Sequence, residues 1–184
     1  VFGPTLTGRQ VVLGQPRTEF IPIYLRWFAD VQVTEFLPYR HPPSYKMEEE
    51  WIEAMAKSQE DVVWTILLDD RLIGMVGLHQ IDWVNRNCAQ GIMLGERDTW
   101  NAGVGTDALV LTLGYAFLEL GMEKVKGYIA LPNRGSLKMA TRCGYREVGV
   151  HRREWYRGGK WVDRWVGEVL RDEWIAEFSR ERKK

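Results

Sequence analysis

Apolar residues recur at two different periods along this chain. A short run from Arg9 to Leu13 opens it as a strand, and Thr18 stands where it can cap a helix carrying Phe20, Tyr24, Trp27 and Phe28, fading near Asp30. After the proline-rich loop from Leu37 to Pro43, Ser44 precedes an acidic turn (Glu48, Glu49, Glu50), which predicts a second helix to Ser58. The period then shortens. Val62 to Leu68, a turn at Asp69-Asp70-Arg71, and Leu72 to His79 form a β-hairpin, followed by a third strand from Cys88 to Leu94. Helical spacing returns with Leu109, Leu113, Ala116, Phe117 and Leu120, ending at Gly121. Lys124 to Leu131 is a strand, and Pro132 and Asn133 start a short helix to Cys143. A last pair of strands, Glu147 to Tyr156 and Trp161 to Leu170, turns at Arg157-Gly158-Gly159 before a polar helical tail from Arg171. The order βαα-βββ-αβ-αββ is an α/β fold that is not doubly wound, because three consecutive strands meander antiparallel.

Composition narrows this to one domain spanning residues 1–184, since 45% hydrophobic residues suffice for one substantial core and the length is too short for two ordinary domains. Lys plus Arg and Asp plus Glu both number 25, so no global field draws the chain to nucleic acid or an anionic membrane. Cys88 and Cys143 lie in apolar segments without metal or disulfide spacing, which predicts buried free thiols and no metal. No stretch has the length of a membrane span, and the first residues lack the basic-then-apolar order of a signal peptide. A cytoplasmic soluble protein is expected.

The candidate chemistry centres on Trp100-Asn101-Ala102-Gly103-Val104-Gly105-Thr106-Asp107-Ala108, which contains G-x-G-x-x-A, one form of a dinucleotide-binding fingerprint. A Rossmann turn follows its first strand directly, whereas here about eight residues intervene and three antiparallel strands come first. A P-loop needs Gly-Lys-Ser/Thr, which is absent. What remains is a glycine-rich turn entering a helix, which presents free N–H groups and the positive end of a dipole to an anion such as pyrophosphate. Two glycines that merely turn the chain are the plain alternative.

With Asn133-Arg134-Gly135-Ser136-Leu137-Lys138-Met139-Ala140-Thr141-Arg142-Cys143-Gly144-Tyr145 and the Arg146-Glu147-Val148-Gly149 that follows, this loop resembles the GNAT superfamily of acyl-CoA-dependent N-acyltransferases, and within it the branch of ribosomal-protein N-terminal acetyltransferases. The resemblance covers nearly the whole chain. It implies a mixed, mostly antiparallel sheet with helices on both faces and two parallel strands that splay apart to admit acetyl-CoA. Carried over, Met93 and Leu94 offer main-chain groups to the pantetheine arm. The loop of Trp100, Asn101, Ala102, Gly103, Val104, Gly105 and Thr106 holds the pyrophosphate through the amides from Ala102 to Thr106, and Asn133 and Ser136 sit near the thioester. Asn101 stands where that branch often has another glycine.

Acetyl transfer needs a neutral amine, attack on the thioester carbonyl and a proton for the leaving thiolate. Many members of the superfamily use a tyrosine where this chain has Ala140, so Ser136 is the candidate at the thiolate, with helix capping as its structural alternative. Relatives often place a glutamate where this chain has Ala89, which removes that carboxylate. His79 becomes the first candidate base, near Asp82, against the alternative of a structural histidine. Glu35 and Glu96 are weaker choices, and catalysis by positioning alone is another. Two rival readings stay open: an acyl-CoA sensor without catalysis, and nucleic-acid binding by the Arg- and Trp-rich stretch from His151 to Trp165, whose structural alternative is a hairpin with inward tryptophans and solvated arginines. The acceptor is a primary amine, either a protein N-terminus or a small molecule, met by loops from Phe36 to Tyr45 and Trp83 to Asn87. No membrane or nucleic-acid partner is expected, and a homodimer is left open.

Overall fold

The computed structural model describes residues 1–38 and 41–181, so two residues of the proline-rich loop, 39 and 40, lie outside the described part. Eight strands form one sheet in the order β1-β2-β3-β4-β5-β6-β8-β7. They are β1 (Leu6–Thr7), β2 (Val12–Gly14), β3 (Val62–Leu68), β4 (Arg71–Asp82), β5 (Asn87–Leu94), β6 (Lys124–Ala130), β7 (Arg146–Arg157) and β8 (Lys160–Leu170). Every neighbouring pair is antiparallel except β5 with β6. The helices are α1 (Ile21–Ala29), α2 (Val31–Thr34), α3 (Tyr45–Lys57), α4 (Val104–Gly114), α5 (Arg134–Arg142) and α6 (Arg171–Glu181). This is the mixed, mostly antiparallel architecture expected, with one parallel pair.

Two cores lie against the sheet. In the larger, Val104, Ala108, Leu109 and Leu113 of α4 pack with Ala140 of α5, Trp174 of α6 and Val62, Trp64, Ile66, Val76 and Leu78 of the sheet. In the smaller, Ile21, Tyr24 and Trp27 of α1 and Ile52 of α3 pack with Leu72, and Met75 and Met93 flank them. Because side chains alternate across a strand, the residues between those of the larger core, Val63 on β3 and Gly77 and His79 on β4, belong to the opposite face.

The first strand departs from expectation. Instead of one strand at 9–13, the chain makes a tight β1–β2 hairpin, because the Asp107 carboxylate accepts hydrogen bonds from the main-chain N–H groups of Arg9, Gln10 and Val11 (3.2, 2.7 and 3.1 Å). Nor does Thr18 cap the first helix. Residues Thr18–Phe20 form a 3-10 turn that delivers Pro22 into the first turn of α1, where a missing N–H is harmless. After α4, a π turn (Tyr115–Glu119) carries the chain to Gly121, whose positive φ of 66° ends the helical run. Both cysteines are free and buried, as expected, and burial pushes each thiol up to about 12.

The C-terminal hairpin is a mixture of what its sequence suggested. Trp165 turns inward, its indole donating to Glu147 (2.8 Å), whereas Trp161 and Tyr156 stand outward in an edge-to-face pair 5.3 Å apart. Arg164 lies 4.6 Å over the Tyr128 ring and bonds Glu154 (2.8 Å). Among the described residues, no helix is long and apolar enough to cross a membrane and no group of three His, Cys, Asp or Glu side chains gathers to hold a metal.

Candidate active site

The parallel pair is short. Its last matched residues are Gln90 on β5 and Gly127 on β6. Beyond them β5 follows β4 as far as Leu94, while β6 follows β8 as far as Ala130, so the two strands part and the sheet opens between Gly91 and Tyr128. One side chain holds the apex of this V. Tyr145 donates its hydroxyl to Gln90 Oε1 (2.8 Å), and its ring fills the space beside Gly127, where an added Cβ would meet it at 2.9 Å. The Gln90 amide in turn donates to the Leu109 carbonyl (3.1 Å) and to Thr112 on α4. Burial holds the Tyr145 phenol well above its ordinary range, so this donor stays protonated.

At the open end, the turn before α4 is shaped by two left-handed residues, Asn101 (φ 64°) and Gly103 (φ 90°). Asparagine tolerates that region better than other side chains, which accounts for its standing in place of a glycine. Trp100 ties the turn to β5 by donating its indole N–H to the Leu94 carbonyl (3.1 Å). That carbonyl is therefore already engaged, while Met93 is matched with Met75 in the β4–β5 ladder.

The start of α4, like that of α1, has no side-chain cap. Asp30, Ser44 and Asn133 cap α2, α3 and α5 through their side chains, whereas Gly103 supplies no side-chain cap to α4. The acid in its first turn, Asp107, faces away toward the β1–β2 turn. The first N–H groups of α4, at Val104, Gly105 and Thr106, thus lack a side-chain acceptor among the described residues.

Gly105 itself has a different reason to be glycine than the one its motif suggests. A Cβ there would lie 2.6 Å from Met139 Sδ and 3.2 Å from Leu94 Cδ1, so the missing side chain lets α4 close on α5 and β5. This contact gathers three of the expected segments: the end of β5, the turn 102–106 and α5. In α5, the capping role assigned as an alternative to Ser136 belongs to Asn133, whose Oδ1 accepts from the Ser136 main-chain N–H (3.0 Å). Ser136 is half-buried, and among the described residues its hydroxyl takes no hydrogen bond. Arg134, Lys138 and Arg142 line a shallow groove along the same helix, a basic strip not singled out from the sequence.

On the other face, His79 lies opposite Ala89 in the β4–β5 register. Its ring covers the paired glycines Gly77 and Gly91: a Cβ at Gly77 would be 2.7 Å from Nε2 and one at Gly91 3.5 Å from it. Nδ1 lies 2.9 Å from Asp61 Oδ1, and Asp61 Oδ2 accepts from the Ser58 hydroxyl (2.7 Å). Partial burial opposes ionisation of Asp61, but hydrogen bonds from Ser58 and His79 and nearby positive charge outweigh it and hold the carboxyl below its usual range. Neither Ser58 nor Asp61 stood out in the sequence, where S-Q-E-D reads as an ordinary helix end.

Two of the remaining candidate carboxylates, Glu96 and Asp82, are occupied elsewhere. Glu96 accepts from Trp27 Nε1 (2.8 Å) and Arg71 (2.6 Å) and pairs with Arg26. Asp82 accepts from the main-chain N–H groups of Val84 and Asn85, bonds that hold its carboxyl low. Glu35 ends α2.

Set beside known proteins, residues 10–146 match the family model described as an acetyltransferase (GNAT) domain. The chain belongs to the GNAT acetyltransferase family. Two relatives from Bacillus subtilis (strain 168) are similar over part of their length: "Probable N-acetyltransferase YjcK", 31% identical over 55% of this chain and 56% of the relative, and "Putative ribosomal N-acetyltransferase YdaF", 32% identical over 61% of each. The matches thus span less than two thirds of either relative. A spermidine N-acetyltransferase from Vibrio cholerae, solved with CoA and spermine, shares the fold with a TM-score of 0.84 at 17% identity, over 90% of this chain and 98% of that one. In this GNAT chain the uncapped start of α4 stands beside the end of β5 where the strands have parted, and on the other face the His79 ring covers Gly91, the first residue of β5 past the parting.

Proposed function

We propose that this protein transfers an acetyl group from acetyl-CoA to a primary amine, either a protein N-terminus or a small molecule, in the cytoplasm. The observation that carries this reading is the parting of β5 and β6 beside a helix start whose N–H groups lack a side-chain cap. That arrangement fits an anionic, extended acyl donor, since the turn offers amides to a pyrophosphate and the opening leaves room for a slender arm. Acetyl-CoA, when bound, supplies the activated acyl thioester.

The chain's own residues divide the work as follows. Trp100 and Asn101 shape the turn, and the amides from Gly103 to Thr106, Val104 and Gly105 among them, hold the pyrophosphate; the Ala102 N–H, expected to join them, is instead taken by the Thr99 carbonyl (3.3 Å). With the Leu94 carbonyl held by Trp100 and Met93 matched with Met75, the Leu94 N–H is the main-chain group at the end of β5 that orients the arm, and Asn133 orders the α5 turn so that the Ser136 hydroxyl is available to the departing thiolate. His79, across the sheet, takes a proton from the amine through Nε2. With Glu96 and Asp82 engaged by other partners and Ala89 carrying no carboxylate, His79 is the base best placed for this task. Two buried free thiols fit a reducing compartment.

The test is a panel of primary amines and N-terminal peptides incubated with acetyl-CoA, with thiol release as readout. The reading expects release with at least one acceptor class. CoA binding without release across the panel would favour a donor site that senses acyl-CoA.

A further inference from the structure

We infer that Asp61, held by Ser58, is a positioning residue for His79, fixing the imidazole with Nε2 as its free acceptor over Gly77 and Gly91, beside the point where β5 and β6 part. This rests on His79 as the base and adds how the ring is aimed and sustained. The hydrogen bonds run in one direction. Ser58 donates to Asp61 Oδ2 at 2.7 Å, which leaves Asp61 Oδ1 to accept at 2.9 Å from His79 Nδ1. An ionised carboxylate can only accept, so Nδ1 must carry the hydrogen and the lone pair of the neutral ring is at Nε2.

The place of Nε2 follows from two glycines. Gly77 and Gly91 are matched across β4 and β5, and the ring lies in the space their missing side chains leave. Gly91 is the first residue of β5 beyond its last match with β6. The free nitrogen therefore sits over the β4–β5 pair one residue past the apex of the V, on the face opposite α4 and α5. Near the ring and its partners stand the Val1 ammonium, which donates to the Ser58 and Asp61 carbonyls (2.9 and 2.6 Å) and adds positive charge beside the Asp61 carboxylate, and Lys126 on β6, which is matched with Ala89; Glu60 and Asp82 are the acidic residues nearest in sequence. Cys88, on the neighbouring strand, is buried in the larger core and stays a neutral thiol.

In the reaction, the amine lone pair forms the new N–C bond, the C–S bond breaks with its electrons leaving on sulfur, and one amine proton passes to Nε2. The ring then bears a positive charge beside the Asp61 carboxylate, which stabilises it. The proton is afterwards released to solvent, to which the His79 side chain is 39% exposed.

Nitrogen-15 NMR of the imidazole tests the proposal without any acyl donor. Wild-type protein at alkaline pH should show the tautomer protonated at Nδ1; the tautomer protonated at Nε2 would overturn the proposal outright. Asp61→Asn should lose that tautomer preference, lower kcat by about 10²-fold with little change in KM, and move the acid limb of the pH–rate profile to lower pH. A variant with unchanged tautomer and unchanged profile would also overturn it. Gly77→Ala, which displaces the ring while keeping both partners, should reproduce the loss of kcat if Asp61→Asn fails to fold, and full activity would count against the proposal. His79→Ala separates the two claims. If it is inactive while Asp61→Asn behaves as wild type, the base stands and the positioning role falls; if it is fully active, both fall.

Discussion

The two sides of the opening in the sheet are made of different material. On the side of α4 and α5, the groups offered to a ligand are main-chain N–H groups at 104–106, presented by left-handed residues at 101 and 103. On the opposite face, the proposed base is a side chain, His79, supported by side chains from a separate segment, Ser58 and Asp61. A main-chain site depends on backbone shape and is insensitive to most side-chain changes, whereas a side-chain relay fails when any member is lost. The donor side should therefore be damaged mainly by substitutions that alter packing, and the acceptor side by substitutions that alter chemistry.

The largest effect expected is on the acceptor side. General-base assistance contributes ~10²–10⁴-fold, so His79→Ala should lose activity on that scale at neutral pH and recover toward wild type at high pH, where the amine deprotonates unaided. A kcat/KM profile from neutral to alkaline pH checks this, because a variant damaged only in packing does not recover.

On the donor side, Gly105→Val should destabilise the protein by about 1–3 kcal/mol, since its side chain would enter the space held by Met139 and Leu94. Denaturant melts measure this. Ready tolerance of valine would mean that the α4–α5 contact is looser than the side-chain positions imply. Ser136→Ala is the exception that sharpens the contrast, as a side chain on the main-chain side. It should lower turnover by about tenfold with CoA affinity unchanged if its hydroxyl meets the thiolate only in the transition state. Unaltered turnover would return the donor side wholly to the backbone.

The smallest effect concerns Glu48, behind the acceptor face. It is 7% exposed on α3, and burial raises its carboxyl above the ordinary range. A raised folded value means that the fold disfavours the ionised form, so stability falls as pH rises through and above the usual carboxyl range. Glu48→Gln should accordingly raise Tm slightly at pH 7, and the gain should vanish below about pH 4, where the carboxyl is protonated in both states. Thermal melts across that range decide it.

The same contrast explains what the sequence disclosed. Backbone requirements leave local marks: the glycines at 103 and 105, the asparagine at 133 and the alternation of β3, β4 and β5 sit in short windows, so sheet, helices and turn were all legible. Contacts between distant segments leave none. Arg9 to Val11 read as strand because the carboxylate that folds them into a turn, Asp107, is almost a hundred residues away. Ser58 and Asp61 join His79 because the β3–β4 hairpin, itself legible, sets Val62 opposite Leu78, but both lie outside the apolar run that marks the strand, so nothing local marked them as partners of the ring. Gly105 shows a subtler failure, in which the residue was noticed but its reason was not, since Met139 had no sequence signal connecting it to the loop.

The most direct test of the central claim, that a main-chain turn on one side of the sheet opening holds the acyl donor, is a titration of the protein with CoA followed through its backbone amide resonances. The account predicts that the amides from Gly103 to Thr106 shift most, saturating together, while those of Ser58, Asp61 and His79 move little. Saturation with CoA that leaves the 103–106 amides in place, or moves the 58–61 and His79 group instead, would contradict it.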